Sequence, residues 1–158
     1  MTEESQVAAA GPLTGATGPV GALRRVAFAG YRWLLLTFVL LGMVQIFLAG
    51  FGVFGLHGRE LGAPGETAFD PHRSLGFALG GIALIILILA LVARRSALSM
   101  LLTAVMFLLA FLAQSFLADL GGSNAFFGGL HALDGLVILG IAGYLYGWSR
   151  RHRSWPQR

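Results

Sequence analysis

The sequence predicts an all-α fold: an integral membrane antiparallel four-helix bundle built from two related helical hairpins. Three observations carry this. The chain has 158 residues, 56% of them hydrophobic and only 11% charged, well short of the roughly 25% charge with which a soluble domain covers its surface. Four apolar runs are each long enough to cross a hydrocarbon core of about 30 Å, which takes about 20 helical residues. The two halves also share a pattern. A Gln stands near the end of an apolar run, and after a loop comes a His with a Gly four residues on.

Residues 1–22, MTEESQVAAAGPLTGATGPVGA, are small, polar and rich in Gly and Pro. They are expected to form a disordered cytoplasmic tail. Two acids come first and no apolar stretch follows directly, which does not fit a signal peptide. The transmembrane domain is placed at 23–149, with spans over Trp33–Phe54, Ser74–Ala93, Leu98–Ala118 and Leu130–Trp148. A polar loop, Gly55–Arg73, joins the first two spans, and a Gly-rich loop, Asp119–Gly129, joins the last two. Arg94, Arg95 and Ser96 make a short turn between the second and third. A basic cytoplasmic tail, 150–158, ends the chain, and SRRHRSWPQR suits anionic headgroups. Tyr144, Tyr146 and Trp148 are placed as an aromatic belt.

The arginines set the orientation. Arg24, Arg25, Arg32, Arg94, Arg95, Arg150, Arg151, Arg153 and Arg158 fall on one side, against Arg59 and Arg73 on the other. The positive-inside rule then puts both termini in the cytoplasm, in a multi-pass protein of the cell (inner) membrane. Short connections between an even number of spans favour up-down-up-down packing.

Composition also removes function classes. With no cysteine, disulfides, thiolate zinc sites, iron–sulfur clusters and c-type haem attachment are excluded. The net charge of +4 does not indicate nucleic acid, because the arginines flank apolar runs and form no basic face. No hydrolytic triad, phosphate loop or zincin motif occurs. Apolar helices with so few internal polar groups make a poor ion pore.

The shared pattern reads Gln45-x-Phe47-Leu48-Ala49, loop, His72-x-x-x-Gly76, and then Gln114-x-Phe116-Leu117-Ala118, loop, His131-x-x-x-Gly135. Each His begins an even-numbered helix, so His72 and His131 sit at one depth near the outer interface. Helices 2 and 4 are diagonal neighbours in such a bundle, and the two imidazoles can face each other. A Gly at i+4 falls one turn below the His on the same face and leaves space beside the ring. Facing histidines with space beside them suit a flat macrocycle. Haem iron is commonly held by axial His, and bundle cores are a usual place to build such a site.

The order QIFLAG, PHRSLG, AQSFLA, GLHALDG, covering 45–135, resembles one four-helix half of the haem A synthase family. Members of that family are tandem four-helix bundles whose paired histidines ligate haem. This chain departs from it in having one bundle, in the spacing of Glu66 and Asp70 from the first His, and in lacking loop cysteines. The resemblance therefore implies haem binding better than haem A synthesis. The chain also resembles small four-helix bacterial membrane proteins classed as a domain of unknown function, which share the FD-x-H and Q-x-x-LA patterns. That match is nearer in length and implies no activity.

The expectation is a membrane b-type haem-binding protein for electron transfer or haem handling, without stand-alone catalytic activity. Haem b would be held by His72 and His131. Gly76 and Gly135 would make room, and Arg73 or Arg59 would pair with propionates, since Arg binds carboxylates bidentately. The competing reading for each His is a solvated or loop-bonded residue at a helix start. Asp134, inside helix 4, either orients an imidazole, passes protons, or bonds to Ser, Gln or His across the bundle. Gln45 and Gln114 are expected to be interhelical glue. His57 and His152 are expected not to be ligands. Expected partners are the lipid bilayer, a quinone or membrane redox partner, and a second copy of the chain. The alternative is a cofactor-free four-helix scaffold or accessory subunit.

Overall fold

The computed structural model describes residues 18–55 and 66–151. They form four helices: α1, Pro19–Gly55; α2, Asp70–Val92; α3, Ala97–Gly121; and α4, Ala125–Arg151. A 3₁₀ turn, Glu66–Phe69, leads into α2, and a π turn, Leu109–Ala113, interrupts α3. No strand occurs among the described residues. Each helix is long and apolar enough to cross a membrane.

The helix ends follow local chemistry. Pro71 stands in the first turn of α2, where its missing N–H costs nothing. The Ser96 hydroxyl caps α3, accepting from the Ser99 N–H at 3.3 Å. The Asn124 side chain accepts from the Phe126 N–H at 2.9 Å and starts α4. Arg94, at φ 46°, turns the chain between α2 and α3.

Several sequence expectations need correction. Pro19–Ala22 belong to α1 and not to a disordered tail; the rest of that tail, 1–17, lies outside the described residues. At 37 residues α1 is about 55 Å long, well beyond one hydrocarbon thickness. Asp70 to Arg73 are helical, so the first polar loop ends earlier than expected. The Gly-rich loop shrinks to a turn at 122–124, because Asn124 supplies a cap and two glycines let the helices close up. A Cβ on Gly121 would lie 3.1 Å from the Gly128 backbone. His131 therefore sits in the second turn of α4, not at its start.

Each helix gives the core one stripe. In α1 it is Tyr31, Leu35, Phe38 and Gly42; in α2, Leu79, Ala83, Ile86 and Ala90. In α3 it is Ser99, Thr103 and Met106; in α4, Ile138, Ala142, Leu145 and Ser149. All four run with the alternating four- and three-residue steps of a heptad seam. Small residues recur in them, which lets helices approach where lipid gives no hydrophobic drive. A Cβ on Gly42 would run into the Leu139 side chain. Helix α1 packs on α2 and α4, and α3 packs on the same two, so α2 and α4 are diagonal. The opposite faces stay apolar and exposed, as at Leu40, Phe77, Ile88 and Leu101.

Gly52 is buried where α1 meets the 3₁₀ turn, and a Cβ there would lie 2.6 Å from the Phe69 ring. Gly50, two residues earlier on the other side of the helix, has nothing within 4 Å. Gly52→Ala is expected to cost about 1–3 kcal/mol through overpacking. Gly50→Ala should be neutral or stabilise by about 0.5–1 kcal/mol through helix propensity. Melting temperatures in mild detergent check the pair, and equal shifts would contradict the packing at Gly52.

Candidate functional site

Two polar residues from each half meet at one end of the four helices. The Gln45 side chain donates from Nε2 to the His72 carbonyl at 2.8 Å, and His72 Nδ1 lies 3.1 Å from the Gln45 carbonyl. Gln114 Nε2 donates to the His131 carbonyl at 2.8 Å, and His131 Nδ1 lies 3.1 Å from the Gln114 carbonyl. A backbone carbonyl only accepts, so each Nδ1 carries a proton and donates it. A neutral imidazole in this tautomer keeps its Nε2 lone pair for another partner. The amide orientations follow in the same way, because Oε1 could not face a carbonyl.

The stripes explain why these residues meet. Gln45 extends the α1 stripe by one step beyond Gly42. In α2 the steps from Leu79 lead back to Gly76 and His72, and in α4 from Ile138 to Gly135 and His131. In α3 the same stepping from Ala110 would arrive at Ala113. The π turn adds one residue and delivers Gln114 instead. The signal for this register shift is absent from the residue types of LAFLA.

His72 and His131 reach across the diagonal. Their ring centroids are 6.2 Å apart and their planes cross at 64°. The Phe69 ring stands edge-on to His72 with centroids 6.3 Å apart, a neighbour the sequence reading did not include. Both histidines are half-buried. An iron–imidazole bond of about 2 Å at each Nε2 puts the centroids of two ligand rings on a common axis about 6 Å apart. The observed centroid spacing matches that separation, and each Nδ1 bond leaves Nε2 as the ring nitrogen open to a ligand.

The other expected residues divide. Gly76 and Gly135 make room, with a glutamine as nearest neighbour: a Cβ would lie 3.2 Å from Gln45 Nε2 and 3.6 Å from Gln114 Nε2. Asp134 takes the cross-bundle option, accepting from Gln114 Nε2 at 3.0 Å. Its counterpart in α2 is Leu75, so the first half lacks this bond, and Gln45 Oε1 is buried without a partner. Arg73 pairs with Asp70 at 3.4 Å, with both side chains more than half exposed. Such a pair contributes about 0–1 kcal/mol. His57, Arg59 and His152 lie outside the described residues. No group of three or more His, Cys, Asp or Glu able to hold a bare metal ion occurs among the described residues.

The opposite end holds a second polar cluster around Arg95, which the sequence presents as a turn residue and an orienting charge with no sign of burial. Arg95 is 7% exposed. Its guanidinium lies between the Phe28 and Trp148 rings, at 4.4 and 4.5 Å from their centroids. Burial pulls its pKa below the ordinary arginine value, and nearby Tyr31 acts the other way. Thr103 gives its hydroxyl proton to the Ser99 carbonyl at 2.7 Å, so the Tyr31 hydroxyl donates to Thr103, at 3.2 Å. No family model, curated protein or solved structure matches this chain.

Gln45→Leu removes one interhelical donor, worth about 0.6–2 kcal/mol in a membrane protein. Gln114→Leu removes two and also strips the partner from Asp134, adding about 1–3 kcal/mol. The second variant should therefore melt lower in detergent. Asp134→Leu on top of Gln114→Leu should recover part of the loss. Equal melting of both single variants would show that the Asp134 bond contributes nothing.

Proposed function

We propose that the protein is a membrane b-type haem-binding protein in which His72 and His131 hold the iron through Nε2. The observation that carries this is the ring pair: 6.2 Å between centroids, with each Nδ1 tied to a glutamine carbonyl. Two imidazoles are too few for a bare zinc, which takes four ligands. They suffice for an iron whose remaining positions a porphyrin fills. Bound haem would supply one-electron redox chemistry. The chain's own contribution would be to fix both imidazole tautomers and to bring the rings together between diagonal helices. The reading includes a bundle of two related hairpins, each closed by its own Gln–His pair. It also places the site near the outer face of the inner membrane, with both termini cytoplasmic, on the arginine distribution.

A second reading, a cofactor-free scaffold, is favoured by one specific observation. Each Gln–His pair satisfies polar groups of two helices by itself, and Gly76 and Gly135 already accommodate the glutamine amides. Purification in mild detergent separates the readings. The haem reading expects a Soret band and sharp reduced α and β bands of low-spin iron. His72→Ala and His131→Ala should each abolish them while the protein still inserts. His57→Ala and His152→Ala should leave them intact. Imidazoles crossing at 64° should also give a strongly anisotropic low-spin ferric EPR signal. A protein that stays colourless when expressed with excess haem belongs to the scaffold reading.

Orientation has its own assay. A cysteine at Ser123 should react with an impermeant thiol reagent in intact cells, and one at Ser96 should not. The reverse labelling would move the histidine pair to the cytoplasmic side.

A further inference from the structure

Arg95 is the one buried charged side chain among the described residues. Its Nε and Nη2 are shut off from solvent and have no hydrogen-bond partner. The acids of the described residues, Glu66, Asp70, Asp119 and Asp134, all belong to the ends of the helices near the histidines, so no carboxylate among them can neutralise it. Phe28 and Trp148 cover the two faces of the guanidinium. Ring faces offset part of the cost of burying a cation, but they leave the in-plane N–H donors unmade. The edge carrying Nε and Nη2 is one that arginine uses for two-point binding of a phosphate.

We propose that Arg95 anchors a binding site for the phosphodiester group of an anionic phospholipid, held through Nε–H and Nη2–H at the arginine-rich end. Arg24, Arg94, Arg150 and Arg151 stand near this end of α1, α2 and α4 and attract the same charge. If the four helices span a bilayer, this end lies at a headgroup layer, where lipid phosphate is abundant. The Trp148 ring over the guanidinium is part exposed near the end of α4, so the headgroup approaches Arg95 from this side. Ser96 and Ser99 follow in the capping turn of α3, with hydroxyls 3.0 Å apart, and give the turn that carries Arg95 a fixed shape. The site rests on the membrane-spanning reading and is independent of haem.

The test uses the full chain in a neutral detergent, with native mass spectrometry and thermal melting against phosphatidylglycerol, phosphatidylcholine and sodium phosphate. The wild type should retain phosphatidylglycerol selectively and melt higher with it than with phosphatidylcholine. Arg95→Gln should lower phosphatidylglycerol affinity about tenfold or more, as loss of a two-point charged contact implies. Arg150→Gln, an exposed charge at the same end, should keep most of it. Should Arg95→Gln fail to fold, Arg95→Lys keeps the charge without the planar fork and should still lose most of the affinity. Equal losses at Arg95 and Arg150 would reduce the effect to surface charge and overturn the proposal. Stabilisation by sodium phosphate equal to that by phosphatidylglycerol would also overturn it, by assigning the site to the free ion.

Discussion

The reciprocal bond between Gln45 and His72, repeated by Gln114 and His131, is the constraint on which this structure turns. Each pair ties one helix, two to three turns before its end, to the first two turns of the next through two bonds that run in opposite directions. A side-chain amide donates to a backbone carbonyl, and an imidazole returns a proton to the carbonyl of that same glutamine. Two donors aimed at two helical carbonyls fix both the depth and the rotation of the helices involved. A single packing contact between leucines would not, because in apolar surroundings neighbouring registers bury the same area. Polar bonds in a membrane are modest in energy, but they are specific. Moving either helix by one residue would leave buried donors unmade.

Other features at this end follow from that requirement. The glutamine amide needs room against the next helix, and Gly76 and Gly135 provide it. A heptad seam through α3 would present Ala113, so the π turn inserts the residue that brings Gln114 into position. Phe69 must reach Gly52 before α2 can start at the height of Gln45. The far end is held differently. Arg95 comes from the turn between α2 and α3 and is clasped by rings from α1 and α4, so one side chain joins all the elements there. Between these ends the four stripes need only be small enough and regular enough to close.

How much of this could be read in the sequence depends on what each feature is made of. Helix number and apolar length are set by composition, and they were legible. So was the recurrence of Gln and then His in each half, because polar residues stand out against an apolar background; that the two bond to each other was not. The inward stripes were not legible. A helix that faces lipid on one side and protein on the other is apolar on both, so the usual periodic signal that reveals a buried face is erased. That is why Leu79 and Phe77 look alike in sequence, although one is in the core and the other 76% exposed. The π turn was hidden for the same reason. Helix ends were misjudged where Asn124 and the Gly121–Gly128 approach shorten a connection that composition made look long. Arg95 was counted as a charge when its role is set by where its side chain folds.

The choice of imidazole bears on function through the atom the fold leaves alone. Holding two helices in register needs only a donor toward the glutamine carbonyl, and an asparagine or serine could offer one with fewer atoms. A histidine brings a second nitrogen. Here the fold commits Nδ1 on both rings, which fixes Nε2 as the acceptor in the neutral form. It then sets the two rings 6.2 Å apart between helices that do not otherwise pack on each other. Neither Nε2 is among the buried, unpartnered polar atoms of the described residues, so each stays open to a further partner. An electrophilic partner such as an iron centre would turn the same two lone pairs into the strongest interactions in the molecule. The Nδ1 atoms secure the helix registers, and the two Nε2 atoms are what the proposed haem site would draw on.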